Sequence, residues 1–240
     1  MSTFDIAKPH EYDHRHADVS SGWLRATVFG AMDGLVSNVG LIAGIAAAGA
    51  APWMVAVTGV SGLIAGAISM ALGEFTSVRT ANEQLDKEVR TEREAHHRNP
   101  EGEQAELAAL FGRLGMDDPT AERAASQVHA NSEQAVRVHL SHELGLSPEE
   151  KPSPWVAGIS SFLAFGVGAV IPILPFIFGF GNIWWGLAFG GVGLLIAGGL
   201  AARVTRRSWF IGAGRQLLFG GIAVAATYTI GMALGVSSIG

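Results

Sequence analysis

The chain has 240 residues, 49% of them hydrophobic and only 15% charged, and its mean hydropathy of +0.32 excludes an ordinary soluble domain. The absence of cysteine excludes a disulfide framework, a thiolate zinc cage and a cysteine nucleophile, so any metal must be held by carboxylate, imidazole or thioether. A formal charge of −5 lacks the basic excess that would point to nucleic acid.

The first 21 residues are polar and carry Asp, Glu and His in place of an apolar core, so no cleavable signal peptide is expected and the first span itself must direct insertion. About 20 apolar residues cross a bilayer as a helix. Windows at roughly 26–50, 53–74, 155–180, 183–202 and 216–236 meet that length. The predicted fold is therefore all-α: a polytopic membrane protein of five transmembrane helices, with a cytosolic helical metal-binding domain inserted between spans 2 and 3. The divisions are residues 1–25 (cytosolic), 26–74 (spans 1 and 2), 75–153 (the cytosolic domain) and 154–240 (spans 3 to 5). Gly40/Gly44, Gly62/Gly66, Gly186/Gly190 and Gly231/Gly235 read GxxxG. That is the spacing of close helix contacts, and also one that glycine-rich apolar segments produce by chance.

Between the second and third windows, Val78 to Arg98 alternates in charge and is built of good helix formers, which predicts a stalk continuing the second span. Asn99-Pro100 ends it. A helix from about Glu101 to Leu114 should stop at Gly115, and the next should open at Asp118-Pro119 with Asp as N-cap and Pro at the first helical position. Asn131 or Ser132 caps a further helix running to Leu144 before Gly145, and Ser147 to Pro154 leads back to the membrane. Pro172 and Pro175 fall inside the third span, where they free backbone carbonyls that neighbours or a cavity must satisfy.

Orientation follows from the basic residues, which gather on cytoplasmic flanks. Lys8, Arg15 and Arg25 precede span 1; Arg79 through Lys151 lie between spans 2 and 3; Arg203, Arg206, Arg207 and Arg215 lie between spans 4 and 5. The other loops and the tail carry none, so the N-terminus and residues 75–153 are expected in the cytosol and the C-terminus on the opposite side.

Asp33 and Glu74 are the acidic side chains within the spans, and an ionisable group at membrane depth is a functional hypothesis by default. Asp33 lies eight residues beyond Arg25 and Met70 nine before Arg79, which sets both roughly 12–14 Å inward from a cytoplasmic marker. Glu74 is one turn from Met70 on the same face. Carboxylates with a polarisable sulfur suit iron, manganese, cobalt or zinc better than Mg²⁺ or Ca²⁺. In the soluble region Glu92, Glu94, His96 and His97 end the stalk; Glu103 pairs with Glu106, His129 with Glu133, and His139 with His142 and Glu143 at helical spacing. Such pairs can bite one ion, and the same pattern is that of a solvated helical face. With no His or Lys in any span, an intramembrane hydrolase would lack a base, and no enzyme is expected.

The segments Asp33-Gly-Leu-Val-Ser-Asn38, Gly40 to Gly44 and Gly66 to Arg79 resemble the first two spans of the vacuolar iron transporter family. Glu92-Arg-Glu, Asn99-Pro-Glu, His139 to Gly145 and the Pro-Ile-Leu-Pro of residues 172–175 continue the likeness, in order, over nearly the whole chain after about residue 22. The resemblance implies a homodimer that exports Fe²⁺, or Mn²⁺, Co²⁺ or Zn²⁺, from the cytosol in exchange for protons, with no tightly bound cofactor and with the lipid bilayer as its surroundings. It implies a membrane site at Asp33 and Met70. It implies a cytosolic collecting set at Glu92, Glu103, Glu106 and Glu133, with His129 where the family usually has Met and Ala95 where it usually has Glu. Imidazole at His129 keeps coordination while reducing softness. A metal-responsive membrane sensor is the alternative; it would share the soluble ligands but would not need Asp33 and Met70 at matched depth.

Overall fold

The computed structural model describes residues 22–143 and 151–237, and every regular element among them is helical. In chain order these are α1 (Gly22–Ala47), α2 (Pro52–Arg98), α3 (Pro100–Arg113), α4 (Asp118–His129), α5 (Ser132–Glu143), α6 (Pro154–Val170), a 3₁₀ turn (Ile171–Ile173), α7 (Leu174–Ile177), α8 (Ile183–Val204) and α9 (Trp209–Ser237). Among the described residues five stretches are long and apolar enough to cross a membrane: Ala26–Ala47, Pro52–Arg98, Pro154–Ile177, Ile183–Arg203 and Trp209–Gly235. The expected residues 1–21, the stop at Gly145 and much of the return linker lie outside the described residues.

α1 is the hub, packing against α2, α6, α8 and α9. Its position follows from its sequence, since Leu35, Val39 and Ile42 bury against Leu194 on one side and Ile173 and Phe176 on another. Small residues bring the backbones together. A Cβ on Gly168 of α6 would overlap the Ala31 carbonyl oxygen of α1, and one on Gly231 of α9 would overlap that of Gly44. The GxxxG pairs thus sit in seams: Gly40 and Gly44 meet Ala223 and Thr227 of α9, and Gly231 and Gly235 face back onto α1. Lipid-facing surface accounts for exposed Ile64, Ile68, Leu72, Leu163 and Leu218. Trp53, Trp184 and Trp185 begin α2 and α8, while Trp155 and Trp209 begin α6 and α9, so indoles flank the apolar layer at both ends.

The third span breaks where its prolines fall, passing from α6 through the 3₁₀ turn into α7. Asn38 of α1 meets the requirement this creates: its Nδ2 donates to the Ala169 carbonyl at 2.6 Å and to the Gly59 carbonyl of α2 at 3.2 Å. One buried amide therefore ties three helices at the break. α1, α3 and α7 close on Gly49, Gly115 and Gly179, all with positive φ, and α8 closes the same way on Arg206 at φ 52°.

α2 is one uninterrupted helix of 47 residues, about 70 Å long, so its charged half reaches well beyond a hydrocarbon core of about 30 Å. α5 packs on that distal half, α4 on α5, and α3 on α4 around Leu107, Phe111, Ala121 and Ala125. Lys151 also pairs with Asp86, fixing the return of the chain to the stalk.

Three local expectations are corrected. α4 is capped by Asp117, whose extended backbone (φ −70°, ψ 152°) lets its carbonyl accept from Thr120 and Ala121; Asp118 is already the first helical residue. Of the two candidates before α5, Asn131 is the cap, its Oδ1 accepting from the Gln134 N–H at 3.2 Å. The last span starts at Trp209, so Arg215 is on α9 and not in the loop, because the apolar run Trp209-Phe-Ile is helical before the arginine is reached.

Candidate functional site

Inside the membrane layer, Asp33, Ser37 and Asn38 of α1 and Gly66, Ser69 and Met70 of α2 line one cavity of about 310 Å³, closed on the α6 side by Phe165. Helical spacing puts residues 33, 37, 38 and 41 on one face of α1 and residues 62, 66, 69 and 70 on one face of α2. Gly62 and Gly66 carry no side chain into the gap, and their place is taken by Leu41 and Phe165. Asp33 and Met70 are half-buried, and the Ser37 hydroxyl donates to the Asp33 backbone carbonyl at 2.6 Å. A carboxylate, a thioether and hydroxyls thus face one small space between three apolar helices. Glu74, one turn further along α2, is half-buried and does not line this cavity. Asn38 entered the sequence reading only as part of a motif; a lone amide in an apolar span was the signal for it.

A second assembly lies where α2 ends. His96 of α2, His129 of α4 and His139 of α5 present nitrogens that all fall within 4.8 Å of one another, and Glu92, His96, Glu103 and His139 form a second, overlapping set. His129 Nε2 and His139 Nε2 are 3.3 Å apart. Glu92 Oε1 stands 3.4 Å from His96 Nε2 and 3.5 Å from His139 Nδ1, and Glu103 Oε2 is 3.9 Å from the same Nδ1. His96 and His139 are 7% and 1% exposed, which is unusual for imidazole on a domain this small. Burial, then the neighbouring rings of His139, His129 and His97, push the His96 imidazole down to about 4, so it is neutral at pH 7. Burial and then His139 also lower His129.

Residues 24–232 match the sequence model of the VIT family. The chain belongs to the VIT family. It is similar to the vacuolar iron transporter of Acanthamoeba castellanii, 33% identical over 91% of this chain and 81% of that protein. It is similar also to vacuolar iron transporter 2 of Oryza sativa subsp. japonica, 30% identical over 90% of this chain and 88% of the relative. Like the family, it is an integral membrane protein, with five apolar helices of spanning length.

In this VIT-family chain the five soluble residues singled out from sequence part company. Glu92, Glu103 and His129 meet at the imidazole cluster. Glu106 is exposed and outside it. Glu133 is exposed and held by Arg93 in a two-pronged pair, Nη2 to Oε2 at 2.8 Å and Nε to Oε1 at 3.1 Å, which keeps its carboxyl below the usual range. His139 turns inward while His142, three residues on, stays exposed, so the two do not share an ion in this arrangement. Sequence reading grouped His139 with His142 and missed its convergence with His96; the i, i+4 spacing of Glu92 and His96 was the available hint.

Proposed function

We propose that this protein carries a divalent transition ion, Fe²⁺ foremost and Mn²⁺, Co²⁺ or Zn²⁺ as further cargo, out of the cytosol in exchange for protons. The observation that carries the reading is that Asp33 and Met70, 37 positions apart in the chain, line the same cavity between α1, α2 and α6. The names of the relatives, vacuolar iron transporters, supply the cargo class. A carboxylate binds either a cation or a proton at one oxygen pair, so occupancy by metal displaces the proton and exchange follows from competition. The Met70 sulfur adds a soft ligand that favours later first-row ions over Mg²⁺ and Ca²⁺. Glu74, one turn from Met70, guides cations toward the cavity by its charge. On this reading residues 75–153 face the cytosol and collect metal through the carboxylates and imidazoles beyond the stalk, and two copies associate. A metal sensor would account for the imidazole cluster alone and would leave the cavity without a role.

Uptake into proteoliposomes, with a reporter for each ion and an internal pH dye, tests the proposal. Asp33→Asn keeps the shape and removes the charge; metal flux and metal-dependent proton movement should both disappear. Met70→Leu should lower Fe²⁺ flux more than Mn²⁺ flux, because oxygen ligands suffice for manganese. Normal iron flux in Asp33→Asn would overturn the transport site and leave the sensor reading.

A further inference from the structure

We propose that His96, His129 and His139 form a nitrogen-based centre for one divalent ion of the zinc class, distinct in ligand chemistry from the carboxylate and thioether of the membrane cavity. It rests on the reading that residues 75–153 bind metal, and it names the donors and the metal class. Three observations lead to it. The three imidazoles come from three different helices, α2, α4 and α5, and their nitrogens nonetheless gather within 4.8 Å. His96 and His139 are more than nine-tenths buried, and His96 Nε2 makes no hydrogen bond although it is out of reach of water. Its nearest carboxylate oxygen, Glu92 Oε1, stands at 3.4 Å without a hydrogen bond; a buried polar atom left without one is costly, and a metal ion is the partner that three converging imidazoles fit.

The third observation is the direction of the rings. The Nδ1 of His139 faces Glu92 at 3.5 Å and Glu103 at 3.9 Å, while its Nε2 faces the Nε2 of His129 at 3.3 Å. Carboxylates behind Nδ1 favour the proton there and turn the Nε2 lone pair toward His129, where a bound ion would replace the contact between the two rings. A carboxylate behind the distal nitrogen is the arrangement that orients metal-binding histidines and raises their basicity. Three imidazoles with one open position suit Zn²⁺ or Co²⁺, and nitrogen donors rank first-row ions in the order Mn²⁺ below Fe²⁺ below Zn²⁺. Half-buried His129 marks the side from which the ion enters. Because the ligands sit on separate helices, a bound ion pins α4 and α5 to the end of α2.

The test uses the full chain in detergent, stripped with a chelator and titrated with Co²⁺ as an optical probe. Whatever Co²⁺ the membrane cavity takes, one Co²⁺ per chain should show the absorption of a low-coordinate nitrogen site; Zn²⁺ should abolish that absorption, and Mn²⁺ should not. His129→Ala, at a half-buried position that tolerates truncation, should weaken Co²⁺ binding about tenfold or more, and His139→Gln should do the same if it folds. Asp33→Asn should leave the Co²⁺ spectrum unchanged while abolishing flux, so loss of transport and loss of this centre are read separately. Unaltered Co²⁺ affinity in His129→Ala, or loss of the spectrum in Asp33→Asn, would overturn the assignment.

Discussion

At the scale of single residues the molecule separates what sequence treats alike. The fifteen positions from Glu92 to Glu106 hold five carboxylates, yet only Glu92 and Glu103 turn toward the imidazoles. Spacing along a helix shows which residues share a face, but not which face a distant helix will cover. That decision belongs to α5, which packs on α2 and α4 and whose buried Val136 and Leu140 flank His139. The buried state of His96 has a measurable cost in acid. Its folded pKa of about 4 lies below the ordinary 6.5, so between those values the unfolded chain holds a proton that the folded one lacks. Stability of the metal-free protein should therefore be flat above pH 6.5 and fall as pH drops from 6.5 toward 4, by at most about 1.4 kcal/mol per pH unit. The groups facing His96 are Glu92 and His97 on its own helix and His129 and His139 from α4 and α5; His129, itself lowered by burial and then by His139, adds to the fall. Thermal midpoints at pH 7.5 and pH 5 in the presence of chelator measure it; equal midpoints would contradict the burial of His96.

At the scale of helices, most of the architecture was legible. Hydropathy marked the five apolar stretches, the two prolines marked the break after α6, and Asn99-Pro100 marked the end of the stalk. The seams were not legible, because GxxxG records that two backbones can meet and not which ones. α1 and α6 show the consequence: Gly168 touches the α1 backbone, whereas Gly166, two residues away, faces open space. Gly168→Ala should lower the thermal midpoint in detergent by the equivalent of about 1–3 kcal/mol, as overpacking does. Gly166→Ala should leave it unchanged or raise it by up to about 1 kcal/mol through helix propensity. Equal effects of the two substitutions would show that the seam is looser than its geometry.

At the scale of the whole molecule, the distribution of Lys and Arg argues for one orientation, and the chain's lack of cysteine makes that easy to measure. Single cysteines at exposed positions report the side they occupy. Glu122→Cys on α4 should react with a membrane-impermeant maleimide only from the cytoplasmic face, and Ala51→Cys, before α2, only from the other. Labelling of both from one face would remove the antiparallel arrangement on which the transport proposal depends.

The unbroken α2 also sets how the membrane cavity and the imidazole cluster can influence each other. Met70 and His96 are 26 positions apart on one shaft, about 39 Å, whereas electrostatic fields in physiological salt fade over about 8 Å. An ion in one region is therefore electrically silent at the other. What remains is mechanical: a stiff rod transmits tilt, and a small swing of α2 at the cavity becomes a larger sweep where α4 and α5 grip its far end. On the proposed reading, an ion entering the cavity reaches the imidazole cluster as motion, not as charge.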